Sequence, residues 1–205
     1  MNLVIKNNKA IISNVLSKED FEPLKKYWTD NSTPWYYNEG VVEENDGGFQ
    51  FIHVVWDGNG RQSDAWNYIL PILNIIEPNV LSRIKANLRT RTGAESKSEF
   101  HCDVWLPLSL TAIFYIDTND GYTEWKDGDK ISSVENTLVV FPSNMPHLGT
   151  APLNTNRRTV INFNYIPSTI LSNSSVSISN KITEALTSPD QLDVIENWAI
   201  PQGTY

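Results

Sequence analysis

The chain is dominated by a succession of short strand-forming runs, most of them closed by a turn cluster. FQFIHVVW (49–56), SRIKANLRTR (82–91), EFHCDVW (99–105), LTAIFYID (110–117), NTLVVF (136–141) and RTVINFNYI (158–166) are rich in β-branched and aromatic residues. DGNG, TGAES, TNDG and KDGDK punctuate them with the Gly, Asn and Asp residues that reverse a chain. Strands this short, with turns this frequent, close into a sandwich or jelly roll rather than a parallel sheet. Two helices are predicted as well. SKEDFEPLKKYW (17–28) opens on a capping serine with acidic residues behind it and sets Phe21, Leu24 and Trp28 on one face. SDAWNYILPILNII (63–76) aligns Trp66, Ile69, Leu70 and Leu73, and Pro71 is predicted to kink or divide it. The fold class expected is α+β, a β-sandwich or jelly-roll core preceded by helices.

The 205 residues suit one domain with a substantial core. We expect that domain over 1–166 and an appendage over 167–205, where PSTILSNSSVSISN turns Ser/Asn-rich. A net charge of -8 argues against nonspecific nucleic-acid binding, which needs a positive surface. The single cysteine, Cys102, excludes an intramolecular disulfide and a cysteine zinc cage, and is expected to be a buried small residue. MNLVIKNNKA lacks the basic-then-apolar pattern of a secretory signal, and no run of about eighteen apolar residues occurs. The expectation is a cytoplasmic protein without a membrane partner.

Three histidines remain to be placed. His53 shares a strand face with Phe49, Phe51 and Val55 and reads as a satisfied, partly buried residue. His101 is followed two positions later by Asp103. With 24 acidic residues in the chain that pair alone carries little weight. On a strand, however, residues i and i+2 project from one face, so the two can grip one ion. His147, in FPSNMPHLGT, is the only histidine downstream and completes a His/carboxylate/His set. That set suits non-heme Fe(II) and leaves coordination positions open. An enzyme using 2-oxoglutarate at such a metal also needs a cation for the far carboxylate of the acid. Arg158 opens RTVINFNY, where alternation puts Arg158, Val160, Asn162 and Asn164 on one face and Thr159, Ile161, Phe163 and Tyr165 on the other. Arg157 competes with it, and the spacing to Phe163 favours Arg158.

HCD followed by LTAIFYID, DGYTEW, NTLVVFPSNMPH and RRTVINFNY resembles the Fe(II)/2-oxoglutarate dioxygenase superfamily, near its prolyl-4-hydroxylase-like branch. The likeness is greatest to small oxygenases of tailed phages of marine bacteria, with a matching core over about 83–166. The resemblance implies a double-stranded β-helix, a cupin-like jelly roll with the N-terminal helices packed on one sheet. It implies His101, Asp103 and His147 as catalytic iron ligands, Arg158 as the partner of the distal carboxylate, and Tyr115, with Thr111 as a lesser candidate, as further 2-oxoglutarate contacts. Fe(II), 2-oxoglutarate and O2 are the implied cofactor and co-substrates. Two departures stand out: collagen-type prolyl hydroxylases carry lysine where this chain has Arg158, and the Gly-Gly-Thr common after the metal pair is here Gly121-Tyr122-Thr123. An aspartate in the metal set, where halogenating relatives carry a small residue, implies hydroxylation.

Trp105 shares the parity of the metal pair and is expected to touch substrate, as is Arg91, with Arg89, on the strand entering the site. The implied substrate is a prolyl or other residue of a peptide or protein, with a small molecule as the other possibility. A non-catalytic cupin-like module that holds a metal or small ligand is the alternative reading. Arg158 and Tyr115, which a plain metal holder does not need, separate the two.

Overall fold

The computed structural model describes residues 1–43, 46–103, 106, 108–168 and 177–187. The chain order is β1 (Asn2–Lys6), β2 (Lys9–Ser13), α1 (Lys18–Thr29), β3 (Tyr36–Glu39), β4 (Phe49–Asp57), β5 (Gly60–Arg61), α2 (Trp66–Ile76) and β6 (Pro78–Thr90). There follow β7 (Leu110–Tyr115), β8 (Tyr122–Trp125), β9 (Lys130–Ser132), β10 (Thr137–Pro142), β11 (His147–Gly149), β12 (Arg157–Pro167) and α3 (Ile178–Leu186). Among the described residues the major sheet runs β1-β2-β10-β7-β12-β6-β4-β3, with β5 on β4, and the minor sheet runs β11-β8-β9. All pairings are antiparallel. No helix among the described residues is long and apolar enough to cross a membrane.

Strand alternation explains the layering. On β7, Leu110, Ala112 and Phe114 join the core shared with the helices, whereas Ile113 and Tyr115 join a smaller core with Trp125, Val139, Phe141 and Val160. The β12 alternation holds as well: Ile161, Phe163 and Tyr165 pack toward the helices, and Arg158, Val160 and Asn162 line a cavity on the opposite face. One face of the major sheet is therefore dry and covered by helices. The other meets the minor sheet.

The first helix forms as its sequence predicts. The Ser17 hydroxyl accepts from the Asp20 N–H, and Phe21, Leu24 and Trp28 are buried. The second runs through Pro71 without dividing, and its buried stripe is Ile69, Ile72, Leu73 and Ile76. Leu70 is 39% exposed, because the 3.6-residue period carries the buried face past it. In α3, Ile182 and Leu186 join the same helix-side core.

Among the described residues 99–103 the predicted strand does not form. Only His101 pairs there, in an isolated bridge with His147. Its partner, the three-residue β11, is paired along its whole length with β8 on its other side. The β1–β2 hairpin is not among the strands expected from the sequence. Asn7 and Asn8 both adopt positive φ (47° and 58°), the two-residue turn that hairpins favour.

Candidate active site

The metal-ligand candidates converge even though the strand argument that paired them fails. His101 is held by reciprocal backbone bonds with His147, each N–H donating to the other's carbonyl at 2.9 Å. Asp103 lies beyond a bend, with Oδ1 3.8 Å from His101 Nε2. One ligand atom from each of His101, Asp103 and His147 lies within 4.8 Å of the others, and the two imidazole rings stand 4.6 Å apart.

The surrounding hydrogen bonds orient all three. Nδ1 of His101 faces the Glu99 carbonyl at 3.1 Å, and Nδ1 of His147 faces the Met145 carbonyl at 3.0 Å. A backbone acceptor at Nδ1 fixes the proton there and leaves the Nε2 lone pair for an ion. On Asp103, Oδ2 accepts from Thr111 Oγ1 (3.1 Å) and Asn164 Nδ2 (3.0 Å), so Oδ1 is the oxygen turned to the histidines. Burial opposes ionisation of Asp103, but His147, the Asn164 hydrogen bond, Arg83 and His101 outweigh it, and its pKa lies below the usual carboxylate range. Burial holds His147 low against the pull of Asp103, which keeps the ring neutral and able to ligate.

Thr111 is thus not in the cavity, as the 2-oxoglutarate role would require. It is fully buried behind Asp103, bonded also to Ser143 Oγ at 3.0 Å. A threonine on this face of β7 reaches the carboxylate, and that shields its hydroxyl from any ligand. Thr111→Val should free Asp103 to rotate and weaken divalent-metal affinity by about 10–100-fold, measured by titration of metal-free protein.

Arg158 is buried in the cavity wall. Its Nε donates to Ser133 Oγ (2.8 Å) and Nη2 to Thr123 Oγ1 (2.9 Å). Among the described residues no carboxylate lies within 4.0 Å of it. Burial pushes the guanidinium pKa down, and Tyr115 and Asp117 counter this only in part. A desolvated guanidinium without an anion calls for one from outside the chain. Arg157, by contrast, turns outward toward Asp117, with Nε 3.6 Å from the carboxylate.

Tyr115 lies against Arg158. Its hydroxyl donates to Thr123 Oγ1 at 2.8 Å, and its ring lies under the Arg158 guanidinium, 5.7 Å from centroid to Cζ. The ring and Thr123 together brace Arg158. Gly121, in the departing Gly-Tyr-Thr, is a further brace: a Cβ there would stand 2.6 Å from Arg158 Cδ and 2.9 Å from Asn119 Oδ1. Gly121→Ala should therefore displace Arg158 and weaken 2-oxoglutarate binding by about tenfold or more, given about 1–3 kcal/mol for such overpacking. Isothermal titration of the metal-loaded variant checks this.

The cleft opens to solvent, with the metal-ligand candidates and Arg158 on its wall. Arg91 is exposed beyond the end of β6 and does not reach it. Arg89, two residues earlier on the cavity-facing parity, does; its guanidinium donates to the Gly149 carbonyl (2.8 Å) and Ser96 Oγ (3.0 Å). Trp105 lies outside the described residues. Cys102 is half-buried, and its thiol donates to the Asn144 carbonyl. The role of His53 holds: its ring nitrogens face the Pro34 carbonyl at 2.8 Å and Ser63 Oγ at 2.6 Å.

No protein-family description matches the sequence. No curated protein matches it either. Solved structures do. A prolyl-4-hydroxylase of Pseudomonas putida superposes with a TM-score of 0.53 at 15% identity, over 78% of this chain and 93% of that one. A prolyl hydroxylase from Trichoplax adhaerens, in complex with a hypoxia-inducible-factor peptide fragment, gives 0.55 at 12%, over 78% and 84%. The non-heme alpha ketoglutarate dependent epimerase SnoN from nogalamycin biosynthesis gives 0.56 at 11%, over 79% of each chain. The fold is theirs. It is the double-stranded β-helix that the sequence motifs led us to expect, with helices on the outer face of the major sheet.

Proposed function

We propose that the protein is an Fe(II)- and 2-oxoglutarate-dependent dioxygenase that hydroxylates an unactivated C–H. The observation that carries this reading is a pairing within one cleft: two Nε2 lone pairs and one carboxylate oxygen at one place, and a buried, anion-free Arg158 at another. A metal-holding module needs the first and has no use for the second. The neighbours' fold supports the reading, and the epimerase among them was solved with Fe3+ and alpha ketoglutarate.

The donor set fits the group it would hold. His101, Asp103 and His147 would occupy one face of a ferrous ion and leave the remaining positions open. Arg158 would fork onto the distal carboxylate of 2-oxoglutarate, with Ser133 and Thr123 holding the guanidinium in place. When bound, iron with 2-oxoglutarate and O2 supplies the oxidising power, and succinate and carbon dioxide are the co-products. The chain's own share is geometric and electrostatic. Thr111 and Asn164 keep Oδ1 of Asp103 aimed at the ion, and the backbone acceptors keep both imidazoles in the ligating tautomer.

The substrate we propose is a residue of a peptide or a small molecule. The Trichoplax neighbour, solved with a peptide, and the epimerase, solved with a nogalamycin compound, support the two branches. Succinate assays with Fe(II), 2-oxoglutarate and O2 against pools of peptides and small metabolites test the function. Substrate-stimulated succinate that disappears in Arg158→Ala is the expected result. Product formation that does not depend on 2-oxoglutarate would overturn the reading.

A further inference from the structure

The cavity wall holds more positive charge than the reaction above uses. Among the described residues it carries Arg83, Lys85, Arg89 and Arg158 against a single carboxylate, Asp103, in a chain whose net charge is -8. A ferrous ion and the 2-oxoglutarate dianion cancel each other. The excess of three positive charges therefore survives loading of the site.

Three of the four cations have work assigned. Arg158 is set for 2-oxoglutarate, Arg89 is bonded to the Gly149 carbonyl and Ser96, and Arg83 donates to Asn164 Oδ1 at 3.3 Å with Nη2 3.8 Å from Asp103. Lys85 has none. It is half-buried in the cavity wall, and its ammonium has no hydrogen bond and no ion pair within 4.0 Å among the described residues; Asp103 attracts it only from a greater distance. A half-buried ammonium with no direct partner in the chain is free to take one from a ligand, and a cavity wall is where such a contact becomes binding specificity.

Lys85 also has acceptors for neighbours. It stands opposite Asn162 in the β6–β12 register, and Asn87 follows two residues along the same strand face. The Oδ1 atoms of Asn87 and Asn162 are buried without a hydrogen-bond partner, and both side chains line the same cavity as His101, Asp103 and His147. Unpartnered acceptors beside a cation with no direct contact describe a ligand that brings an anion and a donor close together.

We propose that Lys85 binds a carboxylate of the substrate while the amide oxygens of Asn87 and Asn162 accept from a neighbouring N–H or O–H of the same molecule. The inference rests on the oxygenase reading for its word "substrate". It names the class: a carboxylic acid with an adjacent amine, amide or hydroxyl, whether a free amino acid or an acidic residue within a peptide.

The test uses full-length protein carrying 15N-labelled lysine, loaded with Zn(II) and saturated with 2-oxoglutarate. The Lys85 ammonium resonance is assigned by its loss in Lys85→Met. Three probe sets are added: free L-amino acids, the same amino acids as carboxamides, and end-blocked peptides with an internal Asp or Glu. The Lys85 signal should move with the free acids or the acidic peptides, which distinguishes the source of the carboxylate, and stay still with the carboxamides. Lys85→Met should weaken the active probe by about tenfold or more, as loss of a charged hydrogen bond does, with a much smaller change for 2-oxoglutarate. Equal responses to acids and carboxamides, no response to any probe, or capture of Lys85 by 2-oxoglutarate itself would each overturn the proposal. Failure of the Zn(II)-loaded protein to bind 2-oxoglutarate at all would instead bring down the oxygenase reading, with Lys85 still judged by its response to the probes.

Discussion

His147→Ala is expected to abolish tight Fe(II) binding while the protein stays folded. The loss should exceed the about 10–100-fold that follows when a ligand merely loses its orienting hydrogen bond, because an entire donor is removed. His147 contributes Nε2 from the start of the three-residue β11, and its backbone bonds to His101 do not involve the ring. Thermal unfolding should therefore stay near that of the parent. Retained iron affinity in this variant would show that the three donors are not a metal site.

Arg158→Ala should leave the metal bound and remove 2-oxoglutarate. Losing one partner of a buried charged pair costs about 2–5 kcal/mol, roughly 30-fold to several thousand-fold in affinity. Arg157→Ala is the control. Its guanidinium faces Asp117 at the half-exposed edge of β12, so 2-oxoglutarate affinity should hardly change. The reverse ranking, read by titrating metal-loaded protein, would contradict the β12 alternation on which the cavity assignment depends.

How much of this was legible in the sequence differs from element to element. Ser17 through Trp28 carries its own cap and a clean apolar stripe, so α1 could be read directly. The alternation of RTVINFNY could be read as well, because β12 is a central strand with a different neighbour on each face. The convergence of His101 and Asp103 was anticipated for the wrong reason: an expected strand proved to be one bridge and a bend. The braces were invisible, since Thr111–Asp103, Tyr115–Thr123 and Gly121–Arg158 join residues between 8 and 37 positions apart and depend on how the two sheets meet. Resemblance gave Thr111 a ligand-contact role that its bonds to Asp103 and Ser143 replace with positioning. Asn7-Asn8, between NLVIK and KAIIS, is a hairpin signal legible in the sequence.

On the proposed reading, His101, Asp103 and His147 would hold one ferrous ion and Arg158 would hold the far carboxylate of 2-oxoglutarate. Anaerobic titration of Fe(II)-loaded protein with 2-oxoglutarate, watched in the visible range and followed by admission of O2, tests it most directly. The account predicts a weak charge-transfer band, which requires adjacent open positions on the metal, and then slow succinate release even without substrate. Protein shown to contain iron that gives neither the band nor succinate would contradict it, leaving the three residues as a metal clamp without chemistry.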